Sequence, residues 1–251
     1  MNKITLITGA TSGIGRSCAY LFAQNNHDLI LIGRRKNRLD EISGELKSNY
    51  NIQVLQLTLD VRDNEAVKKA ISTLPDEWKL IEILINNAGL AVGLNTLQDG
   101  DVDDWERMID TNIKGLLYMS RAVLPMFVQQ NRGHVINIDS IAGKEVYTNG
   151  NVYCASKHAV DALTKSMRDL VKHGVKVTQV APGAIETEFS LVRFKGDKDK
   201  ADNIYKGFKP LSPDDIANVV YYTTTLPAHV NINDIVIMPT AQASATVFNK
   251  D

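Results

Sequence analysis

The sequence predicts an α/β fold: a single doubly wound domain whose seven-stranded parallel sheet carries helices on both faces. Two observations predict it. Short, continuously apolar, β-rich segments alternate with stretches of helical length and period along the 251 residues. The first of those segments also runs into a glycine-rich turn that opens onto a helical stretch. No internal repeat, low-complexity tract or proline-rich linker divides the chain, so residues 1–251 are read as one domain.

In chain order, a strand at Lys3–Thr8 precedes a helix at Gly13–Asn25, and a strand at Asp28–Ile32 precedes a helix at Arg35–Asn49. Gln53–Leu57 and Asn64–Leu74 repeat the pattern. Ile83–Ile85 leads into a long helix, Val102–Gln130, and His134–Ile138 leads into another, Asn151–His173. After the strand Lys176–Val180 the alternation breaks. Phe194–Asp202, with Gly196 and alternating Lys and Asp, is expected to begin a mobile excursion spanning about residues 186–210. A final helix and the strand Asp234–Met238 restore the pattern.

Composition narrows the function classes. Hydrophobic residues make up 44% and charged residues 23%, ordinary values for a soluble globular enzyme. A formal net charge of -1 offers no basic field for nucleic acid or an acidic membrane surface, so neither is expected as a partner. Two cysteines, Cys18 and Cys154, are too few for a disulfide framework, and both fall in helical segments where buried thiols are expected. No apolar run approaches the ~20 residues that span a bilayer. Met1–Gly15 lacks the pattern of a signal peptide. A cytoplasmic protein is expected.

The turn reads Thr8-Gly9-Ala10-Thr11-Ser12-Gly13-Ile14-Gly15. Its Gly-x-x-x-Gly-x-Gly spacing is a variant of the dinucleotide fingerprint, in which bare backbone approaches a pyrophosphate held at a helix N-terminus. The second strand ends in Gly33-Arg34-Arg35 with no carboxylate at its tip. Two guanidinium groups there suit a 2′-phosphate, which points to NADP rather than NAD.

Farther along, Tyr153 and Lys157 lie one helical turn apart, thirteen residues and more beyond Ser140 at the end of the fifth strand. A Tyr-x-x-x-Lys pair alone is weak evidence, and Tyr205 with Lys209 forms a second one. That pair brackets Gly207, runs into Pro210 and has no serine at a strand tip before it, so it is read as surface or lid. The five histidines show no metal-ligand spacing, and no metal is expected.

With these residues in hand, the chain resembles the short-chain dehydrogenase/reductase family over essentially its whole length. The resemblance is carried by the glycine turn, Asp60-Val61, Asn86-Asn87-Ala88-Gly89, Asn112, Ser140, Tyr153, Lys157 and Pro182-Gly183 through Thr187. It implies a Rossmann fold and hydride transfer at a carbon bearing oxygen. Tyr153 would be the general acid/base and Ser140 would hydrogen-bond the reacting oxygen. Lys157 would bind the nicotinamide ribose and lower the phenol pKa, and Asn112 would anchor a water linking Lys157 to solvent. Asp60 would contact the adenine, Asn87 and its neighbours the ribose, and Ile185 and Thr187 the carboxamide.

Leu84–Gly93, Asp104–Leu124, Glu188–Gly196 and Leu226–Asn233 are similar to the branch of NADP-dependent 3-hydroxy acid dehydrogenases. That branch implies substrates such as L-serine, L-allo-threonine or 3-hydroxyisobutyrate. Two residues depart from it, Asp139 before the serine and Glu186 after Pro182-Gly183. A hydroxy acid needs a cation in its pocket, with Arg193 the expected one and Lys195 and Lys144 as further candidates. A reductase of other ketones or aldehydes and a non-catalytic dinucleotide sensor stay open as alternatives. The family implies a homotetramer built on the two long helices, and the tail Ala241–Asp251, small-residue-rich with Val247 and Phe248, is read from its composition as a segment able to pack against a neighbouring subunit.

Overall fold

The computed structural model describes residues 2–250. Seven strands, β1 (Ile4–Thr8), β2 (Asp28–Gly33), β3 (Val54–Thr58), β4 (Ile81–Asn86), β5 (Gly133–Ile138), β6 (Val175–Pro182) and β7 (Asp234–Ile237), form one sheet in the order β3-β2-β1-β4-β5-β6-β7. Every neighbouring pair is parallel, as strands linked by helical crossovers must be. This is a Rossmann-like single domain.

Alternate strand residues serve opposite faces of the sheet. Ile7, Leu29, Leu31 and Ile85 pack against Cys18 and Phe22 of α1 (Gly13–Gln24), Leu39 and Leu46 of α2 (Lys36–Asn49), and Ile216 and Val220 of α9 (Pro213–Thr225). Leu6, Ile30, Ile32 and Leu84 face the other way, onto Val67 and Ile71 of α3 (Asn64–Ser72) and Met119, Val123 and Phe127 of α5 (Leu116–Gln130). Burial on both faces is why the inner strands read as unbroken apolar runs. Both cysteines are free and buried, and burial pushes the Cys18 thiol up to about 12, leaving an inert core side chain.

Three expectations need correction. The first long helix is interrupted: α4 (Val102–Ile109) passes through a π-helical turn, Asp110–Gly115, before α5 continues. The second ends as α6 (Asn151–Met167), and Arg168–His173 tightens into a 3₁₀ turn. The charged excursion is not irregular. It holds two short helices, α7 (Glu188–Arg193) and α8 (Lys198–Asn203), started by Thr187 and Asp197, whose side chains accept the backbone N–H of Phe189 and Lys200. Among the described residues no helix is long and apolar enough to cross a membrane.

Strand order reverses between β1 and β4, so the loops leaving them diverge and open a crevice at their C-terminal ends. The site lies there.

Candidate active site

A cleft of ≈ 350 Å³ runs across the ends of β1, β4 and β5. It gathers nearly all the residues expected from the sequence: Gly9, Thr11, Ser12, Gly13, Ile14, Arg34, Arg35, Asp60, Val61, Asn87, Ala88, Gly89, Ser140, Tyr153, Lys157, Pro182, Gly183, Ile185 and Thr187. Gly15, Asn112 and Arg193 do not line it.

At one end is the glycine turn. Gly9 has a φ of +65°, which a side chain rarely adopts. Gly15 lies under the turn, where a Cβ would stand 2.4 Å from the Gly9 carbonyl oxygen and 2.5 Å from Asn87 Nδ2. Thr8 and Asn87 lock the arrangement. Thr8 Oγ1 accepts the backbone N–H of Asn87 (3.0 Å) and Ala88 (2.9 Å), and Asn87 Nδ2 donates to the Thr8 carbonyl at 2.9 Å. The Asn87 amide thus holds the turn. Gly15→Ala is expected to destabilise the fold by about 1–3 kcal/mol, because backbone must move to admit the methyl. Urea unfolding measures this, and an unchanged midpoint would show that the turn relaxes freely.

The residues fit an anionic dinucleotide. Gly13 and Gly89 leave the floor of the cleft bare: a Cβ at Gly89 would stand 3.3 Å from Asn112 Oδ1 and 3.8 Å from Lys157 Nζ. Arg34 is largely exposed, 3.7 Å from Asp60, and Arg35 lies across Thr11 and Ser12. Asp60 is itself held by Arg62, whose guanidinium donates to both of its carboxylate oxygens.

At the other end, β5 and α6 bring Ser140, Tyr153 and Lys157 together. Ser140 begins a 3₁₀ turn and its hydroxyl accepts the Ala142 N–H at 3.1 Å. Tyr153 is buried with its ring edge-on to Phe189 at 5.8 Å. Its phenol is pushed up by burial and by Tyr147, against the lowering influence of Ser140 and Arg193. Lys157, one helical turn on, is buried as well. Its Nζ donates to the Ile138 carbonyl (2.9 Å), and burial lowers its pKa while Asp139 pulls it partly back.

Asn112 occupies the π-helical turn, a local widening that often marks functional sites. Its amide is already committed, accepting the Leu90 N–H and donating to the Leu90 carbonyl (both 2.9 Å) and to Ser156 Oγ (3.0 Å). It clamps the segment beside Gly89.

The three candidate cations separate clearly. Lys144 is held by Asp161 and Asp234, and Lys195 by Asp101 (3.1 Å) and Asp104 (2.7 Å). Arg193 stacks over the rings of Tyr147 (5.2 Å) and Tyr153 (5.3 Å) and donates to the Tyr147 hydroxyl. Its buried Nε has no hydrogen-bond partner among the described residues. Of the two departures, Glu186 is exposed and outside the cleft, whereas Asp139 lines it, buried. Tyr205 is not merely surface: it donates to the Ile185 carbonyl at 2.6 Å and meets Ser190 at 2.5 Å, tying the excursion to the cleft. Reading the sequence missed Arg38, Tyr147 and Phe189, which enter the site only through tertiary contact.

Comparison with known proteins agrees with this geometry. The family model described as short chain dehydrogenase matches residues 3–197. The NADP-dependent 3-hydroxy acid dehydrogenase YdfG of Salmonella typhi is 48% identical over 244 residues, covering 96% of this chain and 97% of that protein. Sulfoacetaldehyde reductase 2 of Chromohalobacter salexigens is 47% identical over 254 residues, the full length of both. The closed form of a serine dehydrogenase complexed with NADP+ superposes with a TM-score of 0.92 at 46% identity, covering 99% of each chain. A Tyr153–Lys157 helix set against Ser140 and a glycine turn, matched at this identity over this length, has one reading: the chain belongs to the short-chain dehydrogenase family.

Proposed function

We propose that this enzyme is an NADP-dependent oxidoreductase of small anionic alcohols, 3-hydroxy acids such as L-serine, L-allo-threonine or 3-hydroxyisobutyrate. The observation that carries the reading is Arg193, a guanidinium stacked on the ring of Tyr153 with a buried, unpartnered Nε–H. A buried donor left unmatched costs about 1–3 kcal/mol, which a substrate carboxylate would recover.

In this reading the glycine turn holds the pyrophosphate, Arg34 and Arg35 face the 2′-phosphate, and Lys157 holds the nicotinamide ribose. NADP, when bound, accepts or returns the hydride. Ser140 hydrogen-bonds the reacting oxygen and Tyr153 takes up its proton during oxidation or gives it back during reduction. Arg193 orients the acid group, so that the carbon bearing the hydroxyl faces the cleft. Asn112 positions this end of the cleft through Leu90 and Ser156.

Both named relatives act on compounds that carry an acid group, a carboxylate in one and a sulfonate in the other, and a guanidinium suits either. NADPH formation with L-serine, 3-hydroxybutyrate and 3-hydroxyisobutyrate, and NADPH consumption with sulfoacetaldehyde, tests the reading. Turnover of neutral ketones alone would return the chain to the broader reductase class. Tight NADP binding with no turnover of any alcohol would make it a sensor. Arg193→Met is expected to raise KM for L-serine roughly 10- to 100-fold, the loss of a charged hydrogen-bonded pair, while a neutral ketone is spared. Equal effects on both would show that Arg193 only packs. A cytoplasmic homotetramer belongs to the same proposal, and light scattering after size exclusion tests the assembly.

A further inference from the structure

The N-terminal turn of α2 concentrates positive charge where a helix least tolerates it. Arg34, Arg35, Lys36 and Arg38 crowd the end at which the backbone dipoles are themselves positive, and the first turn contains no acidic residue. Lys36 pairs with Asp40 within the helix, and Arg34 lies 3.7 Å from Asp60. Arg35 and Arg38 are served from elsewhere. Glu188, 150 positions beyond Arg38 at the start of α7, sets its carboxylate 3.0 Å from Arg35 Nη1 and 2.8 and 2.9 Å from Arg38 Nη1. Burial would raise that carboxyl, but hydrogen bonds from Arg38 and Arg35 outweigh it and hold it below the usual range. Glu188 is therefore an anion at neutral pH, and it lines the cleft.

Its position matters because Arg35 is anchored on its other side, by Thr11 (3.1 and 2.8 Å) and Ser12 (2.8 Å) of the glycine turn. The edge left for an incoming phosphate is the edge Glu188 already occupies. A phosphate dianion arriving at Arg35 meets the Glu188 carboxylate on the same guanidinium group, and the two anions repel, so one displaces the other.

We infer that Glu188 is a cofactor-selecting residue, an internal stand-in for the 2′-phosphate that holds α7 onto α2 until a 2′-phosphorylated adenosine evicts it. The inference rests on the NADP reading above. A cofactor without that phosphate leaves the contact closed. The far end of α7 is fastened independently, by Gly93 N–H to the Arg193 carbonyl (3.0 Å) and by Lys195 to Asp101 and Asp104. Eviction thus frees only the N-terminal end of the strap that carries Arg193 to Tyr153, which links cofactor identity to the substrate side of the site.

Adenosine 2′-monophosphate and adenosine 5′-monophosphate separate the phosphate position from everything else. Calorimetric titration of the wild type and Glu188→Gln is expected to show 2′-monophosphate and NADP+ binding roughly three- to tenfold tighter in the variant, as befits half-exposed ion pairs. The 5′-monophosphate and NAD+ should change less than about twofold. Amide exchange across Phe189–Arg193 should accelerate when the wild type is saturated with the 2′-monophosphate but not the 5′-monophosphate. In Glu188→Gln it should be fast from the outset and unmoved by either. Weaker 2′-monophosphate binding by the variant, or slower exchange in α7 of the liganded wild type, overturns the inference. NADP+ binding the wild type no more tightly than NAD+ instead overturns the cofactor reading on which it rests.

Discussion

Tyr153→Phe is expected to lower kcat about 100- to 10,000-fold in both directions while leaving the cofactor Kd within a few-fold, because only the proton-transferring group is lost. The ring stays: Tyr153 is buried between Phe189 and Arg193, and phenylalanine fills the same space. The pH profile of the wild type gives a second readout. Burial raises the phenol in the absence of cofactor, so its phenolate is scarce at neutral pH. Oxidation requires the phenolate to accept the alcohol proton, so kcat/KM for oxidation should climb with pH. Reduction requires the phenol and should hold steady over the same range. Steady-state rates of both directions from pH 6 to 10, for wild type and variant, decide the matter. A variant that keeps the rising oxidation limb would assign the proton transfer to another group.

The parts of this site that were legible in the sequence are those that local backbone chemistry dictates. Glycines at 9, 13 and 15 between a buried strand and a helix can do little else than leave backbone bare, and Tyr153 with Lys157 share a helix face by period alone. The inner strands were visible because both faces are covered. β7, at the sheet edge with residues alternating between exposed and half-buried, was still placed to within one residue, whereas the buried β4 runs Ile81–Asn86 where only Ile83–Ile85 was read. What escaped the sequence depends on contacts between distant elements. Nothing in the spacing of Arg38 and Glu188 shows that they meet, and nothing in Arg193 shows that it lies on Tyr153 rather than in the cofactor cleft. The charged run at 194–202 looked irregular because helices of six residues are too short to display a period, although their capping residues Thr187 and Asp197 were present. Long helices hid a different feature: the π turn at Asp110–Gly115 changes hydrogen bonding without changing the apolar pattern.

Asp139→Asn is expected to stabilise the protein at alkaline pH, and the pH at which the gain appears identifies its cause. Asp139 is 4% exposed and lies next to Ser140. One carboxylate oxygen accepts from Gln179 Nε2 at 2.8 Å, and the other has no hydrogen-bond partner among the described residues. Gly143 packs so closely that a Cβ there would stand 2.3 Å from the carboxylate. Burial pushes the carboxyl up to about 7, against the pull of Lys157 and Lys144 and with a small push from Asp161. An acid raised in the folded state stabilises it only while protonated. The wild type therefore loses stability as pH rises from the unfolded value near ~4 to about 7, and nothing further above that. Over that range the loss amounts to about 4 kcal/mol. Asparagine cannot ionise, so urea unfolding at a series of pH values should show its advantage growing from pH 4 to 7 and then levelling. Any contribution from the amide's own contacts is the same at every pH, and a difference that stays flat from pH 4 to 8 would remove burial of the charge as the cause. The gain should come with slower turnover. Burial lowers the Lys157 pKa and Asp139 opposes that lowering, so the asparagine variant leaves Lys157 less firmly charged beside the ribose it would hold. A stabilised protein with a Lys157 that titrates at lower pH is the result that would tie the buried acid to the work of the site.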